Sequence, residues 1–109
     1  MRVSLCHCLA CQKRTGGVFG AQARFPEDRV RVEGTSSQFE RTSDEGNAVV
    51  FHFCPTCASI VHFVLGALPG FVAVPVGAFA DPSFPAPSVS IYEARKHPWV
   101  ELFGVERHD

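Results

Sequence analysis

Five cysteines in 109 residues constrain this chain more than any other feature of its sequence. They stand in two clusters, Cys6-His7-Cys8-Leu9-Ala10-Cys11 and Cys54-Pro55-Thr56-Cys57. A two-residue spacer lets a tight turn aim both sulfurs of a pair at one point, and thiolates bind zinc at about 2.3 Å in tetrahedral geometry. Two such clusters in one short chain read as metal-binding knuckles carried by separate hairpins. An odd count argues against a closed disulfide set, and a thioredoxin-like pair would sit beside a βαβ unit that the sequence does not offer. Cys6, Cys8, Cys11, Cys54 and Cys57 are therefore candidate zinc ligands.

How five thiols share metal has two answers. One zinc could take Cys8, Cys11, Cys54 and Cys57, as a zinc ribbon does, and leave Cys6 over. Alternatively Cys6, Cys8 and Cys11 hold one zinc with an open fourth position, the mark of a catalytic site. Cys54 and Cys57 would then need ligands from elsewhere.

The rest of the sequence limits what surrounds these clusters. An apolar fraction of 46% with ten phenylalanines is that of a folded chain, and 109 residues make one domain, 1–109. A formal charge of -1 gives no polyanion-binding surface, so nucleic acid is not an expected partner. The longest apolar run, Ile60 to Leu65, contains His62 and is too short to span a bilayer, so no membrane association is expected. The N-terminal segment has no apolar stretch of the secretory kind, and the expected location is the cytoplasm, where thiols stay reduced.

Short alternating or apolar runs predict strands at Val18–Phe25, Val30–Glu33, Gln38–Arg41, Ala48–Phe53, Ser59–Val64, Phe71–Val76 and Ser88–Tyr92. No helix-length amphipathic pattern stands out. Ala48–Phe53 and Ser59–Val64 flank the CPTC segment, which predicts a hairpin with cysteines at its tip. Polar Thr42–Asn47 reads as a turn, and Gly77–Pro87 as a loop with at most a short helical turn. The expected fold is all-β: a compact, single-domain, zinc-binding, β-sandwich-like arrangement of short antiparallel strands and hairpins. Phe51, Phe53 and Phe63 are expected in the core and Trp99 packed. His7 is expected beside the metal or exposed, His52 and His62 on the solvated strand face, and Glu93 and Arg95 as an exposed pair.

The cysteine motifs and their order resemble a known family. CHCLACQKRTGGVFG is similar to the core motif of the glutathione-dependent formaldehyde-activating enzyme family, which includes centromere protein V. Cys6, His7, Cys8, Cys11, Lys13, Thr15 and Gly16 match that motif. FHFCPTCAS resembles the family's second knuckle at Phe53, Cys54, Cys57 and Ser59, with Ala58 where glycine is usual. KHPWV, with Trp99, resembles its C-terminal tryptophan segment. A further C-x-C pair that the family carries upstream of Cys6 is not in this chain.

The resemblance implies a compact β-fold in which the C-x-C-x2-C cluster holds a catalytic zinc with an open position. It implies that the distal pair belongs to a structural zinc whose other half is that missing C-x-C. It implies a zinc-dependent carbon–sulfur lyase acting on glutathione–formaldehyde adducts or a related thiol adduct, with glutathione as co-substrate. The partner would be a small-molecule thiol, and no side-chain nucleophile is nominated. Lys13 and Arg14 would offset the net negative charge of three thiolates on Zn²⁺, or form no more than a solvated basic pair after the knuckle. An edge strand left unpaired by the missing N-terminal segment would be covered in a homodimer. The competing expectation is a non-enzymatic zinc-binding module with a structural or partner-binding role.

Overall fold

A computed structural model describes all 109 residues. It is mostly β. Eight strands form one continuous sheet: β1 Arg2–Cys6, β2 Gly20–Pro26, β3 Ser37–Thr42, β4 Ala48–Phe53, β5 Ile60–Leu65, β6 Phe71–Pro75, β7 Val89–Ile91 and β8 Glu106–Arg107. Their order across the sheet is β3-β4-β5-β6-β2-β1-β7-β8. One helix, α1, spans Leu9–Thr15 between β1 and β2. No helix is long and apolar enough to cross a membrane.

The β4–β5 hairpin is the firmest part of the sheet. Phe51 pairs with Phe63 and His52 with His62 across it, and the register shifts at Phe53 as the chain enters the CPTC turn. The alternation AVVFHF sends Val49 and Phe51 to one face, where they form the main apolar cluster with Phe63 and Ala73; Ile60 and Leu65 pack against it. The Phe51 and Phe63 ring centroids are 5.2 Å apart. Phe51 and Phe63 are buried as expected, and Phe53 is half-buried.

β1 departs from the antiparallel pattern. It pairs antiparallel with β2 and parallel with β7, so the N-terminal strand lies between an early and a late segment of the chain. Its short alternation places Val3 and Leu5 in the interior. β7 in turn pairs parallel with β8.

Several expectations are corrected. Val30–Glu33 is no strand: it has no sheet neighbour, and Arg31, Val32 and Glu33 are exposed, so alternation alone had no partner to bond. α1 was not foreseen. Its sequence, LACQKRT, is too short to show a helical period. Its ends are fixed instead by Cys8, whose sulfur accepts the Cys11 N–H at 3.3 Å, and by Gly16 in the left-handed region at φ 71°. Trp99 is 70% exposed rather than packed.

The sheet is open. Only 15 of 109 residues are buried, and the accessible surface is 7125 Å². A monomer of 11.9 kDa ordinarily shows about 5,900 Å². A core this thin stands to gain from metal cross-linking between its loops.

Candidate metal centre

Cys6 ends β1 in register with Ile91 of β7, and the His7 N–H donates to the Ile91 carbonyl at 3.1 Å. The chain then leaves the sheet. Cys8 caps α1 in an extended conformation, and Cys11 lies one turn into the helix. A strand end, a cap and a first helical turn thus bring three sulfurs together. The Cys6, Cys8 and Cys11 Sγ atoms all lie within 4.8 Å of one another, and this is the chain's only such cluster of three or more His, Cys, Asp or Glu ligand atoms. Tetrahedral zinc with bonds of about 2.3 Å sets its sulfurs about 3.8 Å apart. The donor set is soft and the spacing fits with small side-chain shifts, so these three residues are suited to hold zinc.

Electrostatics of the three thiols point the same way. Cys11 is pulled well below the ordinary thiol value, first by the hydrogen bond it accepts from Cys6, against an opposing cost of burial, and then by Arg14. Cys6 is pushed up as the donor of that pair and by its own burial. Arg14 Nη2 lies 3.7 Å from Cys11 Sγ. Its guanidinium carbon sits 5.0 Å from the Phe51 ring centroid and 5.2 Å from that of Phe63. The aromatic pair of the hairpin therefore fixes the cation that steadies the thiolate. Lys13, its neighbour, is exposed.

Behind the cysteines lies a buried polar network. His7 has no exposed surface, so it is neither solvent-facing nor one of the clustered ligands. Its Nε2 is 2.9 Å from Ser90 Oγ and 3.3 Å from Glu93 Oε2. Ser90 Oγ donates its one proton to Glu93 Oε2 at 2.5 Å, so His7 Nε2 carries the hydrogen that faces Ser90. Glu93 Oε1 also accepts from Arg107 at 3.1 Å. Burial holds His7 below its ordinary value, and the hydrogen bond from Ser90, then Arg107, holds Glu93 below its own. Gln12 adds a second tie, donating to the carbonyls of His7 at 2.8 Å and Arg95 at 3.1 Å. Glu93 is thus not half of an exposed pair with Arg95: its side chain is 9% exposed and belongs to this network. The sequence carried no signal for this, because Glu93, Ser90 and Arg107 meet His7 only through the parallel β1–β7–β8 arrangement.

The cysteines open onto a cavity of about 570 Å³. One wall is apolar, from Val49, Phe51, Phe63 and Leu65. Arg14, Arg41 and Arg95 also line it, as do Asp44 and Glu45 from the β3–β4 turn and Tyr92 beyond β7. Of these, sequence reasoning had singled out Arg14 as a cation for the site.

Cys54 and Cys57 lie elsewhere, in the turn joining β4 and β5, so the structure does not bring Cys8 and Cys11 together with them, and Cys6 does not reach them. Cys54 N–H donates to the Ser59 carbonyl at 2.9 Å, and Ala58 N–H to the Cys54 carbonyl at 2.8 Å. Ala58 has φ 64°, the left-handed conformation that explains why glycine is usual there. Cys57 is exposed, and the Ser59 hydroxyl 3.3 Å away lowers its thiol. Nearby, the His52 and His62 rings stack at 4.2 Å, both half-buried. His62 and Cys54 share a groove with the segment 30–36.

No curated protein matches the chain. Residues 1–95 match the family model described as glutathione-dependent formaldehyde-activating enzyme. That span takes in both cysteine clusters, the cavity-lining residues and, apart from Arg107, the network behind them, and the chain belongs to the glutathione-dependent formaldehyde-activating enzyme family.

Proposed function

We propose that the protein is a zinc-dependent carbon–sulfur lyase that makes and breaks the adduct of formaldehyde with glutathione or a related small thiol. Family membership supports a glutathione-related, formaldehyde-activating role. The observation that carries the finer reading is the cluster of Cys6, Cys8 and Cys11 sulfurs on the wall of an open cavity.

Cys6, Cys8 and Cys11 would hold the zinc. When bound, it would supply a positive centre with a free position at which an incoming thiol loses its proton. Three thiolates donate strongly, so the centre suits sulfur better than activation of water. After the hydrogen bond from Cys6, Arg14 further favours the Cys11 thiolate, and it offsets negative charge at the cluster. The remaining charges of the cavity match glutathione. Arg41 and Arg95 suit its two carboxylates, and Asp44 and Glu45 suit its ammonium group. Cys54 and Cys57 are the proposed ligands of a second metal, completed by groups outside the pair.

The test is exchange spectroscopy on glutathione mixed with formaldehyde. The zinc-loaded protein is expected to speed interconversion of the free and adduct forms, and Cys11→Ser to abolish the effect. A protein that binds zinc tightly yet leaves the exchange rate at its uncatalysed value would leave only a structural zinc module.

A further inference from the structure

Tyr92 is the chain's only tyrosine, and it stands in the left-handed region with φ 56° and ψ 43°. A bulky aromatic residue there is a true outlier, and such strain persists only where the surroundings over-determine it. Here they do. Ile91, just before it, is locked in parallel register with Cys6. Glu93, just after it, is held by Ser90 and Arg107 through its side chain, and its N–H donates to the His108 carbonyl at 2.9 Å. The chain reverses between these two anchors. Glu93 turns inward to His7, while Tyr92 faces the cavity that holds Cys6, Cys8 and Cys11. It is 43% exposed, so it meets what enters that cavity.

Resting on the lyase reading above, we propose that Tyr92 is a catalytic residue whose phenol donates a hydrogen bond to the oxygen of the carbonyl compound as the thiol adds to it. In that step the sulfur lone pair forms the C–S bond and the carbonyl π pair moves onto oxygen. The proton released by the thiol reaches that oxygen through solvent in the open cavity. The product is an S-hydroxymethyl thiol, with nothing oxidised or reduced. The phenol donates throughout and is not consumed.

Two other donors around the cavity already have partners. Gln22 Nε2 donates to Ser4 Oγ at 3.0 Å, and Arg14 Nη2 to Cys11 Sγ at 3.7 Å. Burial first, then Glu45, Cys6, Cys8 and Asp44, hold the proton on Tyr92, which keeps it a donor.

The experiment compares two stable glutathione derivatives by calorimetric titration of the zinc-loaded protein. S-acetylglutathione carries an oxygen on the carbon bonded to sulfur; S-ethylglutathione lacks it. Wild type is expected to prefer the acetyl derivative by about tenfold, the scale of one neutral hydrogen bond. Tyr92→Phe, which keeps the ring, is expected to bind the two alike with the ethyl affinity unchanged. Its exchange rate with glutathione and formaldehyde should fall about 100-fold at unchanged glutathione KM. A wild type that binds both derivatives equally, or a Tyr92→Phe variant that keeps the preference, overturns the assignment and leaves the lyase reading intact. A wild type that binds neither and does not speed exchange removes the lyase reading, and the assignment with it.

Discussion

The imidazole of His7 and the carboxylate of Glu93 meet 3.3 Å apart inside the protein, although they come from opposite ends of the chain. Their contact ties the loop between Cys6 and Cys8 to the turn after β7. Ser90 lies between them and bonds both. Glu93→Gln is expected to destabilise the fold by about 2 kcal/mol, because it leaves a buried network half-satisfied. Glu93 is held below its ordinary value of 4.5. Its contribution is therefore fully present above that value and is lost as pH falls through the lower folded value. Thermal melting of both proteins against pH checks this: the gap should be constant near neutrality and shrink on acidification below about 4.5. A gap independent of pH would mean that Glu93 acts through shape alone.

The two cysteine groups should separate by metal content. Cys8→Ser or Cys11→Ser is expected to lose the zinc of the cavity site, since two thiolates do not close it. Cys54→Ser should leave that zinc in place. Elemental analysis of each purified variant, with cobalt substitution to record the sulfur-to-metal absorption, gives the answer directly. Loss of the same metal from both groups of variants would restore the single four-cysteine site.

Arg14 joins the apolar hairpin to the thiolate. Replacing it with methionine keeps most of the packing against Phe51 and Phe63 but removes the charge beside Cys11. Zinc affinity is expected to weaken about tenfold, as for other groups that support metal ligands from outside. Competition with a chromophoric chelator measures it, and Arg14→Lys should recover part of the loss.

Ala58 at φ 64° carries a Cβ where the backbone favours none. Ala58→Gly is expected to raise stability by about 1 kcal/mol. Denaturant melts of the metal-free protein test this without interference from ligand binding. An unchanged midpoint would mean that the CPTC turn is loose enough to relax the strain.

Trp99 is the single indole of the chain and is 70% exposed. Its fluorescence should be red-shifted and readily quenched by iodide in the folded protein. A blue-shifted, protected emission would show that something covers this face in solution.

What the sequence revealed follows from how local each feature is. The Ala48–Phe53 and Ile60–Leu65 hairpin was legible because its strands alternate, adjoin in sequence and bury the same phenylalanines. The clustered thiols were legible because three cysteines fall within six residues, Cys6 to Cys11. α1 was hidden because cap chemistry at Cys8 and Gly16, not periodicity, defines it. The partition of the cysteines needed topology: only the sheet order shows that Cys54 and Cys57 lie off the cavity. Glu93, Ser90 and Tyr92 were missed for the same reason. Each is ordinary among its sequence neighbours and acquires meaning only beside β1.

That parallel contact of β1 with β7 also sets a timetable. The thiols of Cys6, Cys8 and Cys11 leave the ribosome well before Ser90, Glu93 and Arg107, which brace the loop between them. Until those later residues follow, the nascent chain carries bare sulfurs with no finished cradle. Metal captured early would be held by a floppy loop and exchanged freely. The cradle is complete only once β7 and β8 have been made and have closed on β1.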